Sequence, residues 1–173
     1  MDYYKSVGIL LERSEAHESN RNVVIETEKT DTTDGKGNPL YASDTSVAVS
    51  IEDPYAGIRS IEWSVNAPYD TGNNRNGIVT VDNNGAISDE AWKITTADRN
   101  LVTGVSGQIP VFHNSNDIVV NVKVTDCAGN VTEKAVTISI DKTAPEISIS
   151  YNDIAPDSIY TSVYKDVRVA TVL

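Results

Sequence analysis

Hydrophobic and polar positions alternate along most of the chain after Asn22, and this period of two predicts β-strands. In Ser46–Ile51, valine and isoleucine alternate with serine and alanine. The same alternation over Asp117–Thr125 and Val131–Asp141, with a turn over Asp126–Asn130, predicts a hairpin. Further strands are predicted at Asn22–Glu28, Ile58–Val65, Gly77–Asp82, Trp92–Thr96 and Leu101–Val111.

About seven or more strands with turns at regular intervals are typical of an all-β, immunoglobulin-like β-sandwich. Ile61, Trp63 and Val65 fall on one face of their strand, so we expect Trp63 to fill the core. We expect an edge strand or a bulge at Leu101–Val111, because two glycines and Pro110 interrupt it.

An internal repeat is indicated after Pro145, where Glu146–Tyr151 repeats the pattern of Val24–Glu28. Two later similarities have nearly equal offsets of 119 and 120 residues, from Tyr41 to Tyr160 and from Val47 to Val167. We therefore predict a lead-in segment without assignment over 1–21, one complete module over 22–143, and the start of a second, truncated module over 144–173.

Composition narrows the function classes. Valine, isoleucine and threonine make up nearly a third of the chain, and the net charge of -11 disfavours binding to nucleic acid or anionic lipid. The single cysteine, Cys127, excludes an intramolecular disulfide, and two distant histidines disfavour a Cys/His metal site. No apolar run is long enough for a signal peptide or a membrane span, so we expect no membrane insertion in this segment.

Three segments, Asp53–Ile58, Val124–Asn130 and Ile140–Glu146, resemble the immunoglobulin-like repeats of large bacterial cell-surface proteins of the adhesin type. The resemblance covers about residues 22–150, and Cys127 departs from the small or polar residue usual at its position. Independently of the resemblance, Gly57 and Gly129 occupy turns that favour positive φ.

The resemblance implies a non-enzymatic, extracellular spacer in a tandem-repeat protein, whose partners are neighbouring modules of the same chain. The alternative is a module that binds a carbohydrate or a host protein through its loops. Candidate sugar-stacking aromatics are Tyr41, Tyr55, Tyr69 and Trp92, although Trp92 also fits a core position. Asp89 and Glu90 form an acid pair near an aromatic residue, but we expect no enzyme activity.

A calcium site is the one candidate cofactor site. In a sandwich, the turns that hold Glu52, Asp53, Asp126 and Asn130 lie at the same end, and Asp141 lies at the other. Oxygen ligands clustered near a junction suit calcium. The resemblance implies that calcium at such a junction would stiffen a stalk. The alternative is that these acidic residues only cap turns. A lysine–asparagine crosslink is a further possibility, but Lys123 and Lys134 are poorly placed for it.

Overall fold

The structure is a computed structural model that describes residues 21–82, 84–98, 100–151 and 170–172. The chain divides into two compact units, Met1–Lys142 and Thr143–Leu173. Strands dominate the first unit because its β-branched residues favour extended backbone on a half-buried surface.

The described residues of the first unit form nine strands and one 3₁₀ turn over Thr71–Asn73. The strands are β1 (Asn22–Thr27), β2 (Leu40–Tyr41), β3 (Thr45–Glu52), β4 (Ile58–Asn66), β5 (Arg75–Thr80), β6 (Trp92–Asp98), β7 (Leu101–Val111), β8 (Ser115–Asp126) and β9 (Val131–Ile140). In the second unit, β10 (Ile149–Tyr151) pairs antiparallel with β11 (Ala170–Val172).

Two sheets form the sandwich of the first unit. One has the strand order β1-β3-β7-β6, and the other has the order β2-β9-β8-β4-β5. All neighbours are antiparallel except β2 and β9, which run parallel. Without the short β2 and the edge strand β5, this is the ABED and CFG arrangement of an immunoglobulin-like sandwich. The predicted fold class is confirmed.

The core lies between the two sheets and consists mainly of valine and isoleucine. As the alternation predicted, β3 and β8 turn one face inward; the fully buried side chains on these faces are Val47, Val49, Ile51, Ile118, Val120, Val122 and Val124. The tryptophans differ from the prediction in part. Trp63 lies on the core face but is only half-buried, because its partner strand β5 is the sheet edge; Trp92 on β6 is 2% exposed.

The prediction of an edge strand at β7 was wrong, because β7 lies between β3 and β6. Pro110 is tolerated there because the pairing of β6 with β7 stops at Gly107, so that Pro110 faces only β3. The expected irregularity lies in the register of β6 against β7, which shifts on both sides of Thr96.

Parts of the domain prediction lie outside the described residues, namely 1–20 and the repeat positions Tyr160 and Val167. Arg21, the last residue of the predicted lead-in segment, is described and contacts the first unit through its side chain.

Candidate functional site

The first unit has two ends, which we name by the direction of the chain. The entry pole comprises Arg21, the turn at 53–57 and the turn at 126–130; a hydrogen bond of 3.1 Å from the Cys127 amide to the Gly57 carbonyl joins the two turns. The exit pole comprises the end of β9 and residues 112–117, where Ile140 pairs with Ser115. Because β8 runs from Ser115 to Asp126, the two poles are separated by its full length.

The Arg21 side chain joins the parts of the entry pole, and all three of its guanidinium nitrogens make a contact there. Its Nε donates to Asp53 Oδ2 at 3.1 Å, its Nη1 donates to Thr132 Oγ1 at 2.8 Å, and its Nη2 forms an ion pair with Asp126. The Arg21 side chain is only 6% exposed, and both carboxylates are buried. Charge-assisted bonds that are shielded from water are stronger than surface ion pairs.

The two acidic residues also cap their own turns, as the sequence predicted. Asp53 Oδ1 accepts hydrogen bonds from the Tyr55 and Ala56 amides at 3.2 and 3.0 Å. Asp126 Oδ1 accepts one from the Asn130 amide at 2.8 Å. Gly57 and Gly129 have φ values of +74° and +95°, so the predicted positive φ is confirmed at both.

Titration of the entry pole follows from these contacts. Burial alone would raise the pKa of Asp126, but hydrogen bonds from Asn130 and the charge of Arg21 outweigh it and lower the pKa below 3.8. Burial and the nearby Asp126 raise the pKa of the Cys127 thiol. Asp126 is therefore ionised at neutral pH, whereas Cys127 is protonated.

Three of the five predicted calcium ligands, Asp53, Asp126 and Asn130, come together at the entry pole. Glu52 is exposed in the adjacent strand, and Asp141 lies at the exit pole, where its amide donates to the Tyr41 carbonyl.

Sequence reasoning missed Arg21, whose guanidinium lies between the two carboxylates. Among the described residues, no group of three or more His, Cys, Asp or Glu is arranged to hold a metal ion. The calcium site stays a prediction.

The exit pole is held by a second cation, Lys142. Its amide donates to Asn114 Oδ1 at 3.0 Å, and its Nζ donates to the Phe112 carbonyl at 2.9 Å and pairs with Asp44. Beside it, Asp34 accepts from Ser139 Oγ at 2.7 Å. The bonds from Ser139 and Asn38 hold the pKa of Asp34 far below its usual range.

A polar and aromatic cluster lies where β5 meets the exit pole. The Arg75 guanidinium stacks 4.5 Å from the Phe112 ring centroid and 5.9 Å from that of Trp63. His113 is fully buried beside it, and burial lowers its pKa, so that it is neutral at pH 7.

The candidate sugar-binding aromatics fall into two classes. Tyr41 and Trp92 are buried, and the Tyr41 hydroxyl donates to the Glu28 carbonyl at 2.5 Å. Tyr55 at the entry pole and Tyr69 near the exit pole are 52% and 76% exposed.

The other candidate side chains have structural contacts. The Asp89 side chain accepts from the Ala91 amide at 2.9 Å in the turn before β6, and Lys123 pairs with Glu62 at 3.1 Å.

Within the described part of the chain, we find no apolar helix of the length needed to cross a membrane.

Comparisons with known proteins add little to this description. No family model and no curated protein matches the chain. It is similar to the crystal structure of a DUF4466 family protein from Parabacteroides merdae, with 9% identity over 75% of this chain and a TM-score of 0.34. It is also similar to murine CRIg, with 18% identity over 70% of this chain, 99% of that chain, and a TM-score of 0.31.

The chain spans about half (46%) of the length of the DUF4466 protein. At these TM-scores the fold assignment depends on the strand order described above.

Proposed function

We propose that this protein is a non-enzymatic spacer, an immunoglobulin-like module of a tandem-repeat bacterial surface protein that presents adhesive or binding domains outside the cell. One observation carries the proposal. Among the described residues, the first strand of this unit begins at one pole and the last strand ends at the other, and the side-chain contacts of the buried Arg21 and of Lys142 fix these two points. A module of this kind extends a chain lengthwise.

The dimensions fit such a role. The 12 residues of β8 span roughly 40 Å at about 3.3 Å per residue, so each module would add about that length to a stalk. The pairing of β10 with β11 in the second unit is antiparallel, as is the pairing of β1 with β3 in the first, which supports a repeat. A net charge of -11 favours mutual repulsion and an extended array.

The first unit is also connected in a way that resists pulling. Tension between the poles acts along β1, which is joined to β3 by six residue pairs from Asn22 to Thr27. Their hydrogen bonds lie across the direction of pull, because ladder bonds are perpendicular to the strands. All six pairs must therefore yield together.

Single-molecule stretching of the full chain by its two ends tests the proposal. We expect one dominant unfolding event that lengthens the chain by about 380 Å. This length is the extended length of roughly 120 residues, at about 3.5 Å each, minus the roughly 40 Å that the folded module already spans. Gradual extension at low force, without a discrete event, would contradict a mechanical role.

Binding of a carbohydrate or host protein through the loops is the second candidate function. The exposed ring of Tyr69 favours it, since this tyrosine lies beside the ion pair of Lys36 with Asp117 in a groove of about 340 Å³. A glycan screen in which binding is lost in Tyr69→Ala but kept in Tyr55→Ala would favour this function over a spacer.

Calcium at the entry pole belongs to the same proposal. An ion between Asp53 and Asp126 would have to displace the Arg21 guanidinium, so its binding would be coupled to a movement at the chain entry.

A further inference from the structure

The four outer strands of the sandwich differ in how they are protected against pairing with another chain. β1 carries the exposed charge of Glu26, β2 has only two residues, and β6 has Lys93 and two shifts of register. Charges, short length and bulges are the usual protections of a sheet edge. β5 has six residues, regular pairing and an exposed Ile78 (61%), and its single charged side chain, Arg75, stacks on rings.

The register shows which backbone groups of β5 point away from the sheet. The Val81 amide bonds to the Arg59 carbonyl at 3.0 Å, so Val79, Gly77 and Arg75 also bond towards β4. The alternate residues therefore point outward. Ser88 covers Thr80, with bonds of 2.9 Å to its amide and 3.1 Å to its carbonyl. The N–H and C=O groups of Asn76 and Ile78 have no partner among the described residues.

The N–H and C=O groups of Asn76 and Ile78 can form hydrogen bonds with the same four groups of a second copy. If two copies of β5 run antiparallel about a two-fold axis at Gly77, Asn76 of each copy lies opposite Ile78 of the other. Each such pair exchanges two hydrogen bonds, which gives four in total. Gly77 then faces Gly77, where the strands come closest, and the Trp63 ring covers this glycine on the core side. The pairing ends beside Thr80, whose outer edge Ser88 occupies.

We propose that β5 is a homotypic docking edge, through which a second copy of this chain joins its five-stranded sheet to form a continuous ten-stranded sheet. The interface is isologous, as expected for a two-fold dimer. If the protein is a spacer, this docking edge would allow neighbouring stalks to associate side by side. The proposal itself does not depend on the spacer role.

The association is weak for a single pair of chains. The contact is small, and two chains of charge -11 repel each other. At the edge itself the charge of Glu62, the neighbour of Ile78, is balanced by its ion pair with Lys123. Dimerisation therefore strengthens as salt screens the overall repulsion. In an array of modules, many such edges act together.

Sedimentation equilibrium of the full chain, at millimolar concentration and rising salt, tests the proposal. We expect a monomer–dimer equilibrium that shifts at least tenfold towards monomer in Ile78→Pro. This proline removes an outward N–H and keeps the bonds to β4, so the variant folds. A second pair of variants controls for fold and charge: Ile78→Lys abolishes the dimer, and Val119→Lys, at an exposed position of the interior strand β8, does not.

Crosslinking tests the register in a Cys127→Ser background. Oxidation of Asn76→Cys/Ile78→Cys should give a covalent dimer. Either single variant should not, because its two copies lie about 8 Å apart in this register, beyond disulfide reach. A monomer under all conditions would overturn the proposal. A dimer whose stability is unchanged in Ile78→Pro would also overturn it. The same holds if β5 pairs with an added extended peptide of foreign sequence but not with a second copy of this chain. None of these results depends on the stretching experiment.

Discussion

At the scale of single residues, the entry pole depends on one guanidinium group that satisfies two buried carboxylates at once. Asp53 and Asp126 belong to different turns, and without a cation between them they would repel each other in a region shielded from water. Arg21 suits this position because its planar fork directs several donors at fixed angles, which a lysine ammonium does not do. The chain entry is thereby tied to both sheets.

Replacing Arg21 tests this account. Arg21→Ala should lower the free energy of unfolding by about 3–5 kcal/mol, because it leaves two buried carboxylates without their cation. Arg21→Lys should lose less, and urea unfolding measures both. The folded-state pKa of Asp126 is lowered, so its contribution exists above pH 3.8 and is lost as the pH falls through the folded value. An alanine variant within about 1 kcal/mol of wild type would contradict the account.

The same variants address the calcium proposal. If calcium binds at this pole, the unfolding midpoint is higher in calcium than in EDTA, with the larger difference in Arg21→Ala, where no guanidinium competes. Equal midpoints in both proteins would remove calcium from the proposed function.

The turn residues were predictable, but their cation was not. Each aspartate precedes a glycine by three or four residues, and this local signal predicted Asp53, Gly57, Asp126 and Gly129 in their turns. Arg21 contacts residues 32 and 105 positions away, and no local pattern in its neighbourhood indicates this. A pairing set by tertiary structure is invisible to periodicity.

At the scale of strands, each sheet contains a tryptophan that lies over a glycine of the neighbouring strand. Trp63 on β4 covers Gly77 on β5, and Trp92 on β6 covers Gly107 on β7; both are direct cross-strand pairs. A Cβ atom would come within 2.6 Å of the Trp63 ring and 2.3 Å of the Trp92 ring, so only glycine fits. Gly107, one of the glycines from which we expected an edge strand or a bulge, in fact packs against the Trp92 indole ring.

Alanine at these glycines measures the packing. Gly107→Ala should cost about 3 kcal/mol, at the upper end for overpacking, because Trp92 is enclosed by the core. Gly77→Ala should cost less, since the half-buried Trp63 can move outward. Gly35→Ala, with no atom within 4 Å of its Cβ, is the matched control. Urea unfolding should rank the three in this order; equal losses at Gly107 and Gly35 would refute the packing argument.

Strand positions followed from the sequence, whereas strand neighbours did not. The period of two placed β3, β8 and β9 correctly, because it depends only on which side of the strand is buried. The position of β7 inside its sheet depends on β6, which pairs with it in three dimensions. Pro110 led us to expect an edge strand. One side of Pro110 is indeed unpaired, because the pairing of β6 with β7 ends at Gly107.

At the scale of the whole molecule, the described residues of the first unit supply both its core and the side-chain contacts at its two poles. Its buried hydrophobic core extends from Val23 to Ile140, and the side chains of Arg21 and Lys142 make the polar contacts at its two poles. The repeat after Pro145 stays a prediction, because its later positions, Tyr160 and Val167, lie outside the described residues. The sandwich prediction already placed Asp53 and Asp126 at one end and Asp141 at the other, and the pairing of Ile140 with Ser115 agrees with it.

Ending the chain at two positions tests this account of the first unit. A chain that ends at Lys142 should have a free energy of unfolding of the first unit within about 0.5 kcal/mol of that in the full chain, because it retains Arg21, Lys142 and every core residue named above. A chain that ends at Ser139 loses the buried Ile140 and the bond from Asp141 to Tyr41, and should lose roughly 2–5 kcal/mol. Urea unfolding followed by tryptophan fluorescence reports on this unit, since both Trp63 and Trp92 lie in it. If both shortened chains were equally destabilised, the module boundary would lie beyond Lys142, and the spacer would be a larger unit than proposed.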